Sequence, residues 1–378
     1  MKLTGGDLNR ATLGRQMLLE REPLAVDDAV RRIVAIQAQA PASPYVALWN
    51  RIAGFRPAQL DAAFAEQTVV KSSLLRITLH VVHADDFATL HAAMRPTLHG
   101  ARLDYRFTES TVTPEAARAA VVDFVAYATE PRTTAELTGW IEKRFGVPST
   151  DFLWRGVRTI SPILHVPSGP PWAFGLRPSY VAAPDAAATM AMDSEEAMVG
   201  LVLRFLDGFG PASLADVAKF ATVAMPRVRR AVAELGDRLE RYEGPNGEVL
   251  IDVPGGLLPG DGAPAPPRLM AMWDSILLAY HDRTRVIPPD YRTTVVRSNG
   301  DFLPTVLIDG RVAGLWRPVA GGIEVSCFRS PTKRQWAALA AEAAALVGFL
   351  SDREPQVFRR HHHWWDKISL DHVRVLAG

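Results

Sequence analysis

This chain has little of what catalytic sites are usually built from. One cysteine, Cys327, occurs among 378 residues. An intramolecular disulfide, a zinc knuckle and a cysteine-ligated iron–sulfur cluster are therefore excluded. A Walker A loop, a dinucleotide-binding glycine signature, a His-Glu-x-x-His pair and a nucleophile-elbow serine are all missing. No apolar run is long enough to span a bilayer, and Met1–Asp7 opens no signal-peptide apolar region. A cytoplasmic protein is the expectation. Lysine is scarce as well: of 42 basic residues only 6 are Lys, so 36 are Arg, and the net charge is +1. No global field points to nucleic acid, yet Arg is the side chain suited to phosphate and base-edge forks. Between Arg268 and Arg334 ten basic residues face six acidic ones, a local excess of +4. That stretch is either a basic patch or a solvated mixed-charge surface.

What is present is ordinary globular material, 48% hydrophobic and 22% charged, long enough for several domains. Three times it reads as helices followed by short strands. The clearest case spans residues 191–256. A helix over Glu196–Leu206 stops at Gly208 and Gly210, and Ser213 caps a second helix with Asp216 completing a capping box. Pro226 opens a third helix that ends at Gly236, and Asn246-Gly247 turns a hairpin. Three helices plus a hairpin make a winged helix. Residues 111–190 repeat the order: helices over Pro114–Ala128, from Thr133 or Thr134 to Arg144, and over Asp151–Ile160, then strands at Ile163–Val166 and Trp172–Gly175. Residues 1–110 do so more loosely, with helices near Leu8–Leu19, Val26–Gln37, Tyr45–Ile52 and Ala58–Ala65, then strands at Thr68–Lys71 and Leu75–Val82. A Pro/Gly-rich linker runs from Gly255 to Pro267. Beyond it, over 268–378, the period becomes two, with strands at Thr294–Val296, Thr305–Ile308, Arg311–Trp316 and Gly322–Phe328, then a helix over Gln335–Leu350. Asp309-Gly310 turns a hairpin within this strand meander or small barrel. The expected fold class is α+β: three tandem winged-helix units and a C-terminal β-barrel-like subdomain.

Few places remain for chemistry. His361-His362-His363 could hold a metal or belong to a tail that packs Trp364 and Trp365; adjacent side chains diverge, which favours packing. Arg227, Arg229 and Arg230 on the third helix of 191–256 suit groove reading or plain packing. Gln37-Ala38-Gln39-Ala40-Pro41 is more pointed. On a helix, residues i and i+2 lie roughly 200° apart and cannot share a site. Pro41 pushes Ala40 toward extended backbone, so the helix is expected to stop near Gln37. In an extended segment both amides face one way. A polar helix end with amides bonded to nearby backbone is the alternative. Arg76, Thr78 and His80 alternate on one face of the Leu75–Val82 strand, facing either solvent or a cleft beside Gln37 and Gln39.

Ile36–Pro41, Tyr45–Arg51, Arg76–His80, Phe209–Asp216 and Pro304–Trp316, in this order, resemble the winged-helix DNA glycosylases of the AlkZ type. The resemblance covers nearly the whole chain. It implies a C-shaped molecule with a concave face for double-stranded DNA and a DNA-contacting hairpin. It also implies excision of N7-alkylguanine and unhooking of interstrand crosslinks of the azinomycin kind, as repair and self-resistance. The family carries Gln-x-Gln in one branch and Gln-x-Asp in the other, and Gln37 and Gln39 place this chain in the first. An amide orients water but is no general base at neutral pH. It suffices where the base already carries positive charge and leaves neutral. Gln37 and Gln39 are thus the candidate catalytic residues. Arg76, Thr78, His80, Asp309, Gly310, Arg311 and Arg317 are the candidate DNA contacts. No metal or cofactor is called for, and a nucleoid-associated monomer is expected. Lys71 and Lys2 are the only lysines of residues 1–110, which argues for a monofunctional glycosylase without Schiff-base lyase chemistry. The rival is a non-catalytic winged-helix DNA-binding protein or transcriptional regulator, which would leave no abasic product.

Overall fold

The computed structural model describes residues 1–175 and 177–377. Its N-terminal segment opens with α1 (Gly5–Arg15), begun by a capping box in which the Thr4 hydroxyl accepts from the Asp7 amide and the Asp7 carboxylate accepts from the Thr4 amide. Next come α2 (Val26–Ile33), β1 (Ile36–Gln37), α3 (Ser43–Trp49), α4 (Pro57–Ala65), β2 (Val69–Ser73), β3 (Leu79–His83) and α5 (Ala84–Leu98). The strands form an antiparallel sheet in the order β1-β3-β2, with Gln37 and Ser72 both opposite His80. Two expectations need correcting. The helix before Gln37 ends four residues early, at Ile33, because Val34 takes a left-handed φ of 74°. The second strand begins at Leu79, because Leu75–Ile77 is a 3₁₀ turn. The sequence reading also passed over α5, which buries Phe87, Leu90, Met94 and Leu98.

The second segment holds α6 (Tyr105–Thr108), α7 (Pro114–Ala119), α8 (Val121–Tyr127), β4 (Arg132–Thr133), α9 (Thr134–Phe145), α10 (Asp151–Ile160), β5 (Ile163–Val166), β6 (Ser179–Ala182) and α11 (Ala186–Ala191). The helix expected over Pro114–Ala128 is thus two, separated at Ala120. Thr133 caps α9 in a box with Glu136. Trp172–Gly175 is no strand, and β5 pairs with β6 instead. The aromatic side chains there anchor the segment to its neighbour: Trp172 packs 4.7 Å from the Tyr45 ring and Phe174 4.7 Å from the Phe64 ring, centroid to centroid.

The third segment follows expectation closely. Helices α12 (Ser194–Phe209), α13 (Leu214–Ala221) and α14 (Met225–Leu235) precede the hairpin β7 (Glu240–Glu243) and β8 (Val249–Asp252). Ser213 and Asp216 form the anticipated capping box, and Gly236 takes φ 53° where α14 stops. Helix α12 packs along α5 and so ties this segment to the first. A buried bidentate pair joins Arg15 of α1 to Asp252 of β8 at 2.8 and 2.6 Å.

The Pro/Gly-rich linker lies along α1, where Leu257 and Ala263 carbonyls accept from Arg15 and Arg10. After it come β9 (Arg268–Leu269), α15 (Ser275–Leu278), α16 (Arg292–Val295), β10 (Thr305–Ile308), β11 (Arg311–Val319), β12 (Gly322–Cys327), α17 (Lys333–Ser351) and β13 (His372–Ala377). The expected strand at Thr294–Val296 is largely α16. The sheet order is β13-β12-β11-β10-β9, an open antiparallel sheet. The barrel expectation is corrected accordingly: β9 and β13 are its two edges and do not pair, and α17 packs against β9, β12 and β13 instead. Trp364 and Trp365 are buried, and Trp364 Nε1 donates to Asp301 at 2.8 Å. The three tail histidines meet three different neighbours: Asp301, the Trp365 ring and the Arg360 carbonyl. Cys327 is buried at the end of β12, and burial pushes its thiol up to about 11. One continuous apolar core, from Leu13 to Trp365, draws residues from all four segments. A second buried bidentate pair crosses it, Arg51 to Asp274 at 2.8 Å on both arms. Among the described residues no helix is long and apolar enough to cross a membrane.

Candidate active site

Strand β1 is two residues long, and it sets the direction of the glutamine side chains. Val34 (φ 74°, ψ −57°) breaks α2 in a conformation that a β-branched residue rarely adopts. The chain then extends through Ile36 and Gln37, and the Ala38 amide donates to the Leu79 carbonyl at 2.8 Å. Gln37 and Gln39 accordingly converge: Gln37 Nε2 donates to Gln39 Oε1 at 2.8 Å. Their exposures differ. Gln37 is buried, at 4% accessible, whereas Gln39 is exposed.

Arg76 reaches the pair from the tip of the β2–β3 hairpin. It was expected on a strand face, but it occupies the 3₁₀ turn with φ 55°, and Ile77 beside it has φ 60°. Two consecutive non-glycine residues in the left-handed region are costly, on the order of 1–3 kcal/mol each, and persist only when surrounding contacts over-determine them. Those contacts are visible. Arg76 Nη1 donates to the Phe220 carbonyl of α13 at 2.8 Å, and Arg76 Nη2 donates to Gln37 Oε1 at 3.0 Å. Nη2 also lies 2.8 Å from His80 Nε2. Because a guanidinium only donates, His80 Nε2 must accept. The other nitrogen, Nδ1, then carries the proton and donates to the Thr78 carbonyl at 3.0 Å. His80 is fully buried, and burial, then the Arg76 charge, hold its pKa well below the ordinary histidine value. It is a neutral acceptor, not a solvent-facing or phosphate-facing cation. Burial, then Arg283, push Arg76 down to about 9. Thr78 closes the turn, its hydroxyl donating to the Leu75 carbonyl at 3.1 Å. Arg76 and His80 thus meet at Gln37, His80 as its cross-strand partner on β3 and Arg76 from the folded turn, while the Thr78 side chain is spent on the turn.

Positive charge gathers around this point. Partial burial and the neighbouring Arg283, Arg76 and Arg292 all hold the Lys219 pKa below its usual value. Lys219 and Arg292 are exposed, and Arg283 lies 5.0 Å from the Phe302 ring centroid. None of Lys219, Arg283 and Arg292 has a carboxylate within 4.0 Å among the described residues. The sequence reading did not single out these three; the local basic excess beyond Arg268 was its only signal, and Lys219 lay outside it. Next along the chain from Gln39, Ala40, Pro41 and Ala42 wall a cavity of about 360 Å³ with Trp172, Phe174 and His361.

The other candidates are placed elsewhere. Thr305–Trp316 is the expected hairpin with Asp309-Gly310 at its tip, but the tip is anchored. Asn9 Nδ2 donates to the Gly310 carbonyl at 2.8 Å, and Arg10 pairs with Asp309 at 2.5 Å. Any Cβ at Gly310 (φ 73°) would fall 2.5 Å from Asn9 and Leu13 atoms. The turn is thus held in place, with Gly310 buried and Asp309 exposed, and Arg311 just past them is exposed, donating to the Thr284 carbonyl at 2.9 Å. Arg317 is occupied by a bidentate pair with Glu324 at 2.9 Å on both arms. Arg227 is buried, bonded to Glu195 and to the Ala93 and Ser194 carbonyls, so of the three α14 arginines it is a packing residue.

A pair of neutral amides, one buried and one exposed, beside cations without carboxylate partners, suits hydrolysis at nucleic acid. Comparison with known proteins agrees. A family model described as DNA glycosylase AlkZ-like matches residues 30–349, and the chain belongs to that family, whose members are hydrolases of N-glycosyl bonds in DNA. Among individual proteins it is similar to the interstrand DNA cross-link repair glycosylase of Streptomyces sahachiroi, at 25% identity over 361 residues, covering 88% of this chain and 93% of that protein. The solved structure of Streptomyces sahachiroi DNA glycosylase AlkZ superposes with a TM-score of 0.78 at 21% identity, covering 94% of this chain and 99% of that one. The chain is a distant relative of that glycosylase and shares its fold. Membership sets aside the non-catalytic regulator.

Proposed function

We propose that this protein excises N7-alkylated purines from double-stranded DNA and unhooks interstrand crosslinks built on them, with Gln37 and Gln39 positioning the attacking water. The observation that carries the reading is the amide pair itself. Gln37 spends its carbonyl on Arg76 and an N–H on Gln39, which leaves the exposed Gln39 with a free Nε2 and one spare lone pair on Oε1. Such an end can hold and orient a water, but it cannot take a proton as a carboxylate would. An N7-alkylated purine already carries the positive charge that a general acid would otherwise supply, and it leaves neutral. The weakness of the pair fits that substrate and no ordinary nucleotide.

A crosslinked base is tethered to both strands, so extrusion into a closed pocket is obstructed. An exposed Gln39 suits a base attacked near the surface, and the cavity beyond Ala40 leaves room beside it. Lys219, Arg283 and Arg292 offer the phosphate contacts, and the helix–helix–helix–hairpin segments serve as winged-helix supports for the duplex. Incubation with an N7-methylguanine duplex followed by alkali tests the reading: strand breaks mark abasic product. Breaks are expected with the native chain and are expected to fall by about 100-fold in rate with Gln37→Ala and Gln39→Ala. Full activity in both variants would sink the assignment.

A further inference from the structure

The Arg76 guanidinium and the neutral His80 imidazole form a directional hydrogen-bond relay that ends on Gln39. Every link has one possible polarity. Arg76 can only donate, so the Gln37 group facing it must be the carbonyl, and Gln37 Nε2 must face Gln39. The Gln39 carbonyl then faces Gln37 Nε2 at 2.8 Å, and its own Nε2 is turned outward. His80 shares that Nη2 with Gln37, its Nδ1 proton committed to the Thr78 carbonyl and its Nε2 lone pair accepting the second Nη2 proton of Arg76. The Phe220 carbonyl of α13 holds the remaining arm. Without Arg76 the buried Gln37 amide could rotate by 180° at little cost, and the orientation of Gln39 would be lost with it.

We propose that Arg76, seated by His80, is a positioning residue that fixes the amide orientation of Gln37 and, through it, of Gln39. This inference rests on the water-orienting reading of the glutamine pair. Arg76 and His80 act here through Gln37, not through a phosphate, in contrast to the role expected from their sequence pattern. The left-handed backbone at Arg76 and Ile77 is the cost of bringing the guanidinium under α13.

The test measures single-turnover excision at saturating enzyme, duplex affinity and melting temperature. Arg76→Ala is expected to lower the excision rate by about 10- to 100-fold, the loss typical of a misplaced reacting group, with affinity within about twofold of native. In a Gln37→Ala background, removing Arg76 is expected to cost nothing further, because the two act as a unit. An equal loss in both backgrounds, or a loss of affinity in place of rate, would overturn the inference and make Arg76 an independent DNA contact. His80 gives a second arm should Arg76→Ala not fold. His80→Gln keeps an acceptor near the Nε2 position and is expected to stay within about threefold of native, whereas His80→Leu, which has none, falls at least about tenfold. Equal rates in the two His80 variants would also overturn it. Full activity of Gln37→Ala alone would instead remove the underlying reading of the pair.

Discussion

Gln37 has two separable duties: it accepts from Arg76 and donates to Gln39. Gln37→Glu splits them. The carboxylate keeps the Arg76 contact, and strengthens it, but has no N–H for Gln39 and faces the Gln39 carbonyl with like polarity. The variant is expected to melt at or above the native temperature yet excise at least about tenfold more slowly, read by the alkali-cleavage assay beside a thermal melt. Native rates would show that the donor arm is dispensable. At this scale the sequence was half informative. Converging amides were legible at i and i+2, but their cause was not: the extended backbone lies at Ile36–Gln37 after the break at Val34, and Gln39 and Ala40 form a bend before Pro41. Which of the two glutamines would be buried was not legible, since Gln37 is covered by a hairpin tip nearly forty residues away, whose Arg76 is itself held by the Phe220 carbonyl farther still.

Helix α5 carries His91, which is buried beside Phe87, its ring centroid 5.6 Å from that ring. Burial, followed by the charges of His99 and Arg95, pushes its pKa down to about 3. The unfolded chain binds a proton near the ordinary histidine value of about 6.5, so between those two pH values the unfolded state holds more protons than the folded one. Stability therefore rises with pH across that window and is level above it. Acidification from pH 7 to 5 is expected to destabilise the native protein by up to about 1.4 kcal/mol per pH unit for each such histidine below pH 6.5. His80 and His165 are shifted the same way by burial. His91→Leu should make the acid dependence measurably shallower in urea titrations at each pH; an unchanged slope would mean His91 is protonated in the fold. Elements defined by neighbours in sequence were legible: the Ser213–Asp216 box, the Gly236 stop and the Asp309-Gly310 turn all stand where the residues placed them. Elements defined by distant partners were not. Trp172–Gly175 looked like a strand because it is apolar, but its aromatic rings pack on the N-terminal segment, and the strand partner lies at Ser179–Ala182. The barrel failed for the same reason, since closure depends on whether β9 meets β13, and α17 packs against both of them.

Across the whole molecule a net charge of +1 conceals a local surplus. Lys219 comes from the third segment and Arg283 and Arg292 from the C-terminal one, so the cluster exists only once the chain is folded. Each cation that neutralises a phosphate releases a counterion, and the salt dependence of binding counts those events. Lys219→Ala and Arg292→Ala are each expected to weaken duplex binding uniformly across sequences and to reduce the slope of log affinity against log salt by about 1, measured by fluorescence anisotropy from 50 to 200 mM salt. Slopes equal to the native one would place the duplex elsewhere. The single cysteine has a bearing on the surroundings in which such an enzyme works. Thiolates are the protein groups most readily consumed by electrophiles, and Cys327 is both enclosed in the sheet and held protonated. A glycosylase with the proposed substrate would meet the alkylating agents themselves. This one presents them no reactive thiol, so its survival in their presence needs no separate protection of Cys327.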